Sequence, residues 1–472
     1  MYDVIIIGAG VVGCCIAREL SRYNINVLVL EKGEDVAIGA SKANSGIIHA
    51  GYDAKPGTLK AHYNMLGVTM FEQAARELGF ALDLCGSYVI CTDEVDIHKL
   101  KALKERGESN GVPGLEIIDG EQLRQLEPMI SDKVIKALHA PTGGIVSPYE
   151  MTLAYAENAA SNGVQFKFGT EVTSIVKHEH FTVTTADGAS FNTRIVINAA
   201  GVYADNINNM VSSHKIEIVA RKGEYIMLDK LGTIHSTIFQ LPTKMGKGVL
   251  VSPTIDGNII LGPTAIDVDD KDDTAATFEG LHDIMQNALI STPSLRFDHV
   301  IASFAGLRAH SAGDDFIIGE APDVAGFINA AGIESPGLTS APAIAKHIKE
   351  IVAPMLSPEL NPSFNPIRQP HFNFRRANDD ERAAAIATNP DYGRIVCRCE
   401  LVTVGEIADA AHSPVPALNL DALKRRTRLG MGRCQGGFCT SQAAKLLADM
   451  LGIGISEVTK SGGNSRILYD RS

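Results

Sequence analysis

Two groups of residues carry chemistry in their types and spacing. Near the start of the chain the β-branched run Val4–Ile7 flows into Gly8-x-Gly10-x-x-Gly13 and a helical stretch, and a second apolar run, Val27–Leu30, ends at Glu31. Glycine at 8 permits a tight strand-to-helix turn, glycine at 10 lets a pyrophosphate approach the backbone, and glycine at 13 lets the helix pack close to the strand. The helix N-terminus offers unpaired N–H groups and a positive dipole end to phosphate, and the acid at 31 can accept both ribose hydroxyls. This is the pattern of a dinucleotide site. Towards the other end, Cys397-x-Cys399 and Cys434-x4-Cys439 gather four of the eight cysteines. In a reducing compartment such a quartet points to metal before disulfides. Four thiolates on glycine-lined loops suit a 2Fe–2S cluster. They also suit zinc, although zinc knuckles favour a spacing of two to four residues over one. Cys14, Cys15, Cys85 and Cys91 lie in apolar or strand-like context and read as small buried hydrophobes.

The elements that must position these groups can be read along the chain. The Gly-, Ser- and Asn-rich stretch beginning at Gly39 reads as a loop running into a helix near Ser41–Asn44, able to turn backbone N–H groups on a ligand. Residues 60–79 and 96–110 read as helices, 82–93 as strand, and 143–163 as a turn into a helix. Strands are expected over 164–176, 180–186 and 191–201, the last ending in a glycine turn. The block 215–305 is strand-rich. It alternates over 217–229, and 248–264 reads as a hairpin whose Asp256-Gly257 pair suits a type I′ turn. The acid run 267–273 reads as a solvated loop, and 325–352 returns to strand, glycine turn and helix. Prolines at 354, 358, 362, 366 and 370 disfavour a continuous helix and indicate an extended linker before a compact last unit. No internal repeat is visible. At 472 residues the chain exceeds one simple core, and its 45% hydrophobic content and mean hydropathy of +0.05 are those of a globular protein. The excess of 55 acidic over 43 basic residues disfavours a general nucleic-acid binder. No basic segment precedes the first apolar run, and glycines interrupt it, so neither a signal peptide nor a spanning helix is expected. The expected location is cytoplasmic, with membrane association only through a partner.

The fingerprint at the N-terminus, a second glycine-ended strand (VINAAG, 196–201) and a third Gly-rich turn at 332–337 together resemble the FAD-dependent oxidoreductases of the D-amino-acid oxidase superfamily. The resemblance covers about residues 1–352. It implies an α/β, Rossmann-like FAD-binding domain from 1–80, 143–214 and 300–352, with an inserted antiparallel α+β substrate domain from 81–142 and 215–299. A proline-rich linker over 353–379 then leads to a small, α-rich domain over 380–472. The resemblance assigns Gly8, Gly10 and Gly13 to the pyrophosphate turn, Glu31 to the ribose, and Ser41, Asn44, Ser45 and Gly46 to the loop beside the flavin. It assigns Val172 to the adenine, Ala200 and Gly201 to the turn after the second motif, and Gly332, Ile333, Gly337, Leu338 and Thr339 to the flavin's pyrimidine end. The segment IVCRCELVTVGEI…TRLGMGRCQGGFC is similar to bacterioferritin-associated-ferredoxin-like (BFD-like) domains, which implies a 2Fe–2S cluster on Cys397, Cys399, Cys434 and Cys439. Lys424, Arg425, Arg426, Arg428 and Arg433 form a basic group beside it, either solvated helix surface or a dock for an acidic partner.

A flavin takes hydride from a carbon bearing a hydroxyl or amine, and a nearby group must accept the heteroatom's proton. His49, in the loop that the resemblance places beside the flavin, is suited to proton exchange near neutral pH. Arg308, in AGLRAHS, matches the superfamily's clamp for a substrate carboxylate or phosphate, and Lys55, Lys222 and Tyr225 are expected to shape the pocket, with His310 as a wall. The stretch NSGIIHAGYDAKPGTLKA and RKGEY (221–225) resemble the L-2-hydroxyglutarate dehydrogenase branch. The two-domain architecture is similar to the anaerobic glycerol-3-phosphate dehydrogenase family. The resemblance therefore implies oxidation of sn-glycerol 3-phosphate to dihydroxyacetone phosphate, with electrons leaving through the cluster to a quinone- or NAD-linked protein subunit. The alternatives are a 2-hydroxy-acid dehydrogenase, an amino-acid dehydrogenase, and a non-catalytic electron-transfer subunit.

Overall fold

In a computed structural model of the chain, which describes residues 1–232, 234–242 and 248–469, the run Val4–Ile7 is the centre of an eight-stranded sheet. Strand Tyr2–Ile7 pairs in parallel with Val27–Leu30 on one edge and Ser190–Asn198 on the other, and Gln165–Lys167 extends the parallel set. The strand 190–198 is shared. Its first half pairs antiparallel with Phe181–Thr185, and its second half pairs in parallel with Val324–Ala331. Both faces of the sheet are covered, which is why its central strands are continuously apolar rather than alternating. Val4 and Ile6 pack with Ile16 and Leu20 of the helix Val11–Leu20 and with Ile344 of the helix Gly337–Leu356. Ile5 and Ile7 face Val172, Phe181 and Phe327 on the other side.

A nine-stranded sheet is built around Ile218–Leu228, which pairs antiparallel with Ile259–Gly262, Ile266–Val268 and Val300–Ser311. Its far half contains Ser87–Cys91, Lys136–Ala140 and Glu116–Asp119. One face packs under the helix Phe278–Ser291 through Leu228, Leu261 and Ile284. The other presents Tyr225, Leu250 and Ile260 to Ile47 and Tyr52 of the loop that follows Glu31. The last unit packs helices Val404–Ala411, Leu420–Thr427 and Thr440–Leu451 around Ile407, Leu423 and Leu447, with Cys397 and Cys439 in the same core. The α/β fold with a second sheet and a small helical C-terminal domain is therefore present.

Several local expectations need correction. Strand Val300–Ser311 belongs to the second sheet, although the sequence division groups 300–352 with the first. No helix forms at Ser41–Asn44; turns occupy it, with the two-residue strand Ile47–Ile48 beyond. The hairpin 250–262 exists, but Asp256 keeps a negative φ and only Gly257 is left-handed, at +86°. Thr254 O accepts the Gly257 N–H at 2.8 Å, so the loop is a three-residue turn closed by glycine, not type I′. The acid run 267–273 is not simply solvated: Asp267 pairs with Arg221, Lys271 with Asp205, and Asp273 with Lys222. The linker is a strap bound along the first domain. Leu360 bridges to Tyr23, Arg22 lies over the Phe364 ring, and Arg368 and His371 both bind the buried Glu157.

Candidate active site and cofactor cleft

The strand-to-helix turn at Gly8 is built so tightly that only glycine fits. Gly8 has φ +105°, and a Cβ there would lie 2.5 Å from Ala199 O. A Cβ on Gly13 would lie 2.0 Å from Gly8 O, so its absence seats the helix on the turn. The helix has no side-chain cap from Gly10. Instead its Val11 N–H donates to Ser41 Oγ at 2.9 Å, across thirty residues of sequence. First-turn N–H groups without intrahelical acceptors open on a cavity that Gly8, Gly10, Val11 and Val12 line.

Glu31 is held by its backbone neighbours. Its Oε2 accepts the Ala9 N–H at 2.8 Å and its Oε1 the Gly33 N–H at 2.9 Å. Burial raises its pKa, and these two N–H groups oppose the rise. A carboxylate has about four acceptor sites, so positions remain for ribose hydroxyls. The loop beyond is pinned by Asn44, whose Oδ1 accepts the Gly46 N–H at 2.8 Å. A Cβ on Gly306 would lie 2.0 Å from Ala43 O, so the second sheet's strand passes directly over this loop.

The cavity has a volume of about 2230 Å³ and runs between the two sheets. Glu31, Val172, Ala200, Gly201, Tyr203 and Lys271 line one part of it. Ser41, Asn44, Ser45, Gly46, His49, Lys55, Tyr225, Arg308, Ile333, Gly337 and Leu338 line others. Gly13, Gly332, Thr339, Lys222 and His310 do not line it. Gly332 turns behind it with φ +64°, against Ser311. Thr339 supports it, because its Oγ1 accepts the His49 N–H at 2.9 Å. Lys222 points to the opposite face of its strand and binds Asp273 at 2.7 Å. The period-two alternation of 218–228 puts Arg221 and Tyr225 on the cavity face instead, and Arg221 is the residue that the sequence reading passed over. His310 binds Glu334 at 2.9 Å, and Glu334 also holds Lys60.

Two side chains stand out chemically. The His49 ring lies along Phe239, with centroids 6.0 Å apart, and its Nε2 is 3.2 Å from Ser335 Oγ. Arg308 donates from Nη2 to Thr264 O at 2.5 Å, while its buried Nε has no hydrogen-bond partner among the described residues. Gly223 makes room for this guanidinium, since a Cβ there would meet Nη2 at 2.6 Å. An unpaired buried N–H on a cationic fork is costly unless an anion completes it. Burial pushes the Tyr225 hydroxyl up, with Arg308 and a hydrogen bond with Ser45 opposing.

The four cysteines meet in the C-terminal unit, with Cys397 and Cys439 buried, Cys434 half-buried and Cys399 exposed. Cys399 Sγ and Cys434 Sγ are 3.8 Å apart. The Cys439 thiol and the N–H groups of Gly430, Glu400 and Cys399 bring Cys397 down to about 5 against burial. Backbone N–H groups of Phe438, Gly436 and Gly437 likewise lower Cys434. Four sulfurs ringed by loop N–H donors fit an iron–sulfur cluster. The basic residues beside them mostly turn inward. Arg425 and Arg426 grip Asp35 of the first domain at 2.6 and 2.8 Å, Arg428 binds Asp256 and Glu400, and the more exposed Arg433 binds Asp229. The unit thus packs on the rest of the chain, and Lys424, Arg425, Arg428, Met431 and Gln435 line the same cavity.

A dinucleotide turn under a largely antiparallel roofing sheet, with a cavity that reaches the domain holding a four-thiol centre, is the build of a flavoprotein oxidoreductase with its own iron–sulfur domain. The chain belongs to the FAD-dependent oxidoreductase (DAO) family, whose model matches residues 3–351, and residues 395–449 match the BFD-like [2Fe-2S] binding domain. Its cofactors are accordingly FAD and a 2Fe–2S cluster. It is 47% identical to a glycerol 3-phosphate dehydrogenase of Caloramator mitchellensis, over 99% of this chain and 98% of that one. L-α-glycerophosphate oxidase from Mycoplasma pneumoniae, solved with FAD bound, superposes with a TM-score of 0.74 at 33% identity, covering 78% of this chain and 98% of the oxidase. The human mitochondrial L-2-hydroxyglutarate dehydrogenase is 30% identical over 56% of this chain and 61% of its own length. No described helix is long and apolar enough to cross a membrane.

The cradle fits FAD: glycines where a Cβ would collide, a helix N-terminus, and an acid with spare acceptor sites. When bound, FAD would supply the acceptor for a hydride (two electrons and a proton), and the cluster a one-electron relay.

Proposed function

We propose that the protein oxidises sn-glycerol 3-phosphate to dihydroxyacetone phosphate and passes the electrons through its 2Fe–2S domain to a partner protein. The observation that carries this reading is Arg308, a guanidinium lining the same cavity as His49 with its Nη2 on Thr264 O. Arg308 binds the substrate phosphate. His49 takes the C2 hydroxyl proton at Nε2, the substrate hydroxyl replacing Ser335 Oγ at that nitrogen, while the Phe239 ring holds the imidazole plane. Tyr225, stacked on Phe304 at 5.0 Å, closes one wall and excludes water. The similarity to a glycerol 3-phosphate dehydrogenase across both domains supports this substrate. Electron exit is supported by exposed Cys399 and by Phe438, 89% exposed between cluster ligands.

A 2-hydroxy dicarboxylate such as L-2-hydroxyglutarate is the second reading, favoured by Lys55 in the same cavity, which offers a second anion position, whereas Arg221 there is already paired with Asp267. An anaerobic titration separates the two. Sn-glycerol 3-phosphate is expected to bleach the flavin band and then the cluster absorbance. His49→Ala is expected to slow the first phase by about a hundredfold or more. Bleaching by L-2-hydroxyglutarate alone refutes the phosphate reading.

A further inference from the structure

The cavity does not end at the boundary of the flavin domain. Beside the dinucleotide turn it is walled by Lys42, which follows the helix-capping Ser41, and by Asp421, Lys424, Arg425 and Lys460 of the C-terminal unit. The two carboxylates there are already engaged. Asp35 takes both Arg425 and Arg426, and Asp421 takes Lys460 at 2.6 Å. Lys42 and Lys424 are left with no carboxylate at ion-pair distance among the described residues, so positive charge exceeds negative at this point of the wall. Burial lowers Lys424 from its ordinary value. Asp421 opposes this, and Lys460, Arg425 and Arg428 add to it. A half-buried ammonium among other cations is unfavourable on its own, and a multivalent anion in front of it would remove the cost.

The cavity beside these lysines is the one onto which the Gly8–Gly13 turn opens, where a dinucleotide's diphosphate belongs. We propose that the iron–sulfur domain completes the flavin site: Lys424 reaches across from it and, with Lys42, neutralises the FAD diphosphate. The reading rests on FAD occupying the cleft and is independent of which substrate is oxidised. It makes the C-terminal unit a cofactor clamp as well as an electron relay. Domain docking and flavin retention become linked, because the Asp35 grip that seats the helix Leu420–Thr427 also sets the position of Lys424.

The test uses the full chain with its cluster in place and its flavin removed, with cluster absorbance fixing the concentration of folded protein. FAD, ADP and adenosine are titrated in turn, FAD by fluorescence quenching and the other two by competition. Lys424→Gln is expected to weaken FAD and ADP about tenfold, the loss of one charge-assisted contact, and to leave adenosine unchanged. Lys424→Arg is expected to restore most of the affinity. Lys42→Gln, on the opposite domain, is expected to show the same diphosphate-selective loss, and added salt is expected to weaken the parent more than either glutamine variant. FAD affinity within twofold of the parent in both glutamine variants overturns the proposal. So does equal weakening of adenosine, which carries no diphosphate.

Discussion

Replacing Asp256 with alanine should loosen the iron–sulfur domain and its strap together. Asp256 is 3% exposed in its side chain and accepts Arg375 at 2.5 Å, Arg428 at 2.7 Å and Arg376 at 3.0 Å. Removing one partner from a buried ion pair costs about 3–5 kcal/mol. The lower end applies here, because Glu400 still holds Arg375 and Arg428, and Glu150 still holds Arg376. About 3 kcal/mol is roughly a hundredfold in the population of undocked chains. Two of the released arginines lie in the strap itself, which makes trypsin a direct reporter. Cleavage after Arg375 and Arg376, located by mass spectrometry, is expected to accelerate by about that hundredfold, since proteolysis follows the open population when reclosing is fast. A cleavage rate within threefold of the parent would refute the view that this hairpin carboxylate seats the domain.

Arg308→Lys keeps the charge and loses the fork, so kcat/KM for sn-glycerol 3-phosphate should fall about thirtyfold, mainly through KM, in an assay with an artificial electron acceptor. An unchanged KM would remove Arg308 from the substrate site. Glu157 gives a pH signature. Burial raises its carboxyl, but the hydrogen bond from His371 and the charge of Arg368 outweigh it and hold it at about 2, below the ordinary 4.5. A depressed folded pKa stabilises the protein above the unfolded value, so about 3 kcal/mol is present above pH 4.5 and is lost as pH falls towards 2. Denaturant unfolding between pH 6 and pH 3 should show about 2 kcal/mol of this loss, and Glu157→Gln should flatten it.

What could be read without the structure is what depends on neighbours in sequence. The glycine turn at 8–13, the doubly covered strands 4–7 and 27–30, and the acid after them follow from hydrophobic runs and backbone freedom, which are local properties. The cysteine quartet is legible because thiolate spacing is itself the signal. The hairpin at 250–262 was also legible, but its turn type was not, since the dipeptide Asp256-Gly257 serves two loop lengths. Lys222 and Arg221 show a nearer limit: alternation separates their faces, yet only the packed sheet says which face meets the cavity. The basic group at 424–433 shows the deepest one. As sequence it is an exposed positive surface, and in the fold Arg426 finds Asp35, 391 positions away, while Arg428 finds Asp256. Charge pairing has no periodicity to read. It is decided by which distant elements the chain brings together, and here that decision turned a docking face inward and extended one cavity from the dinucleotide turn to the iron–sulfur domain.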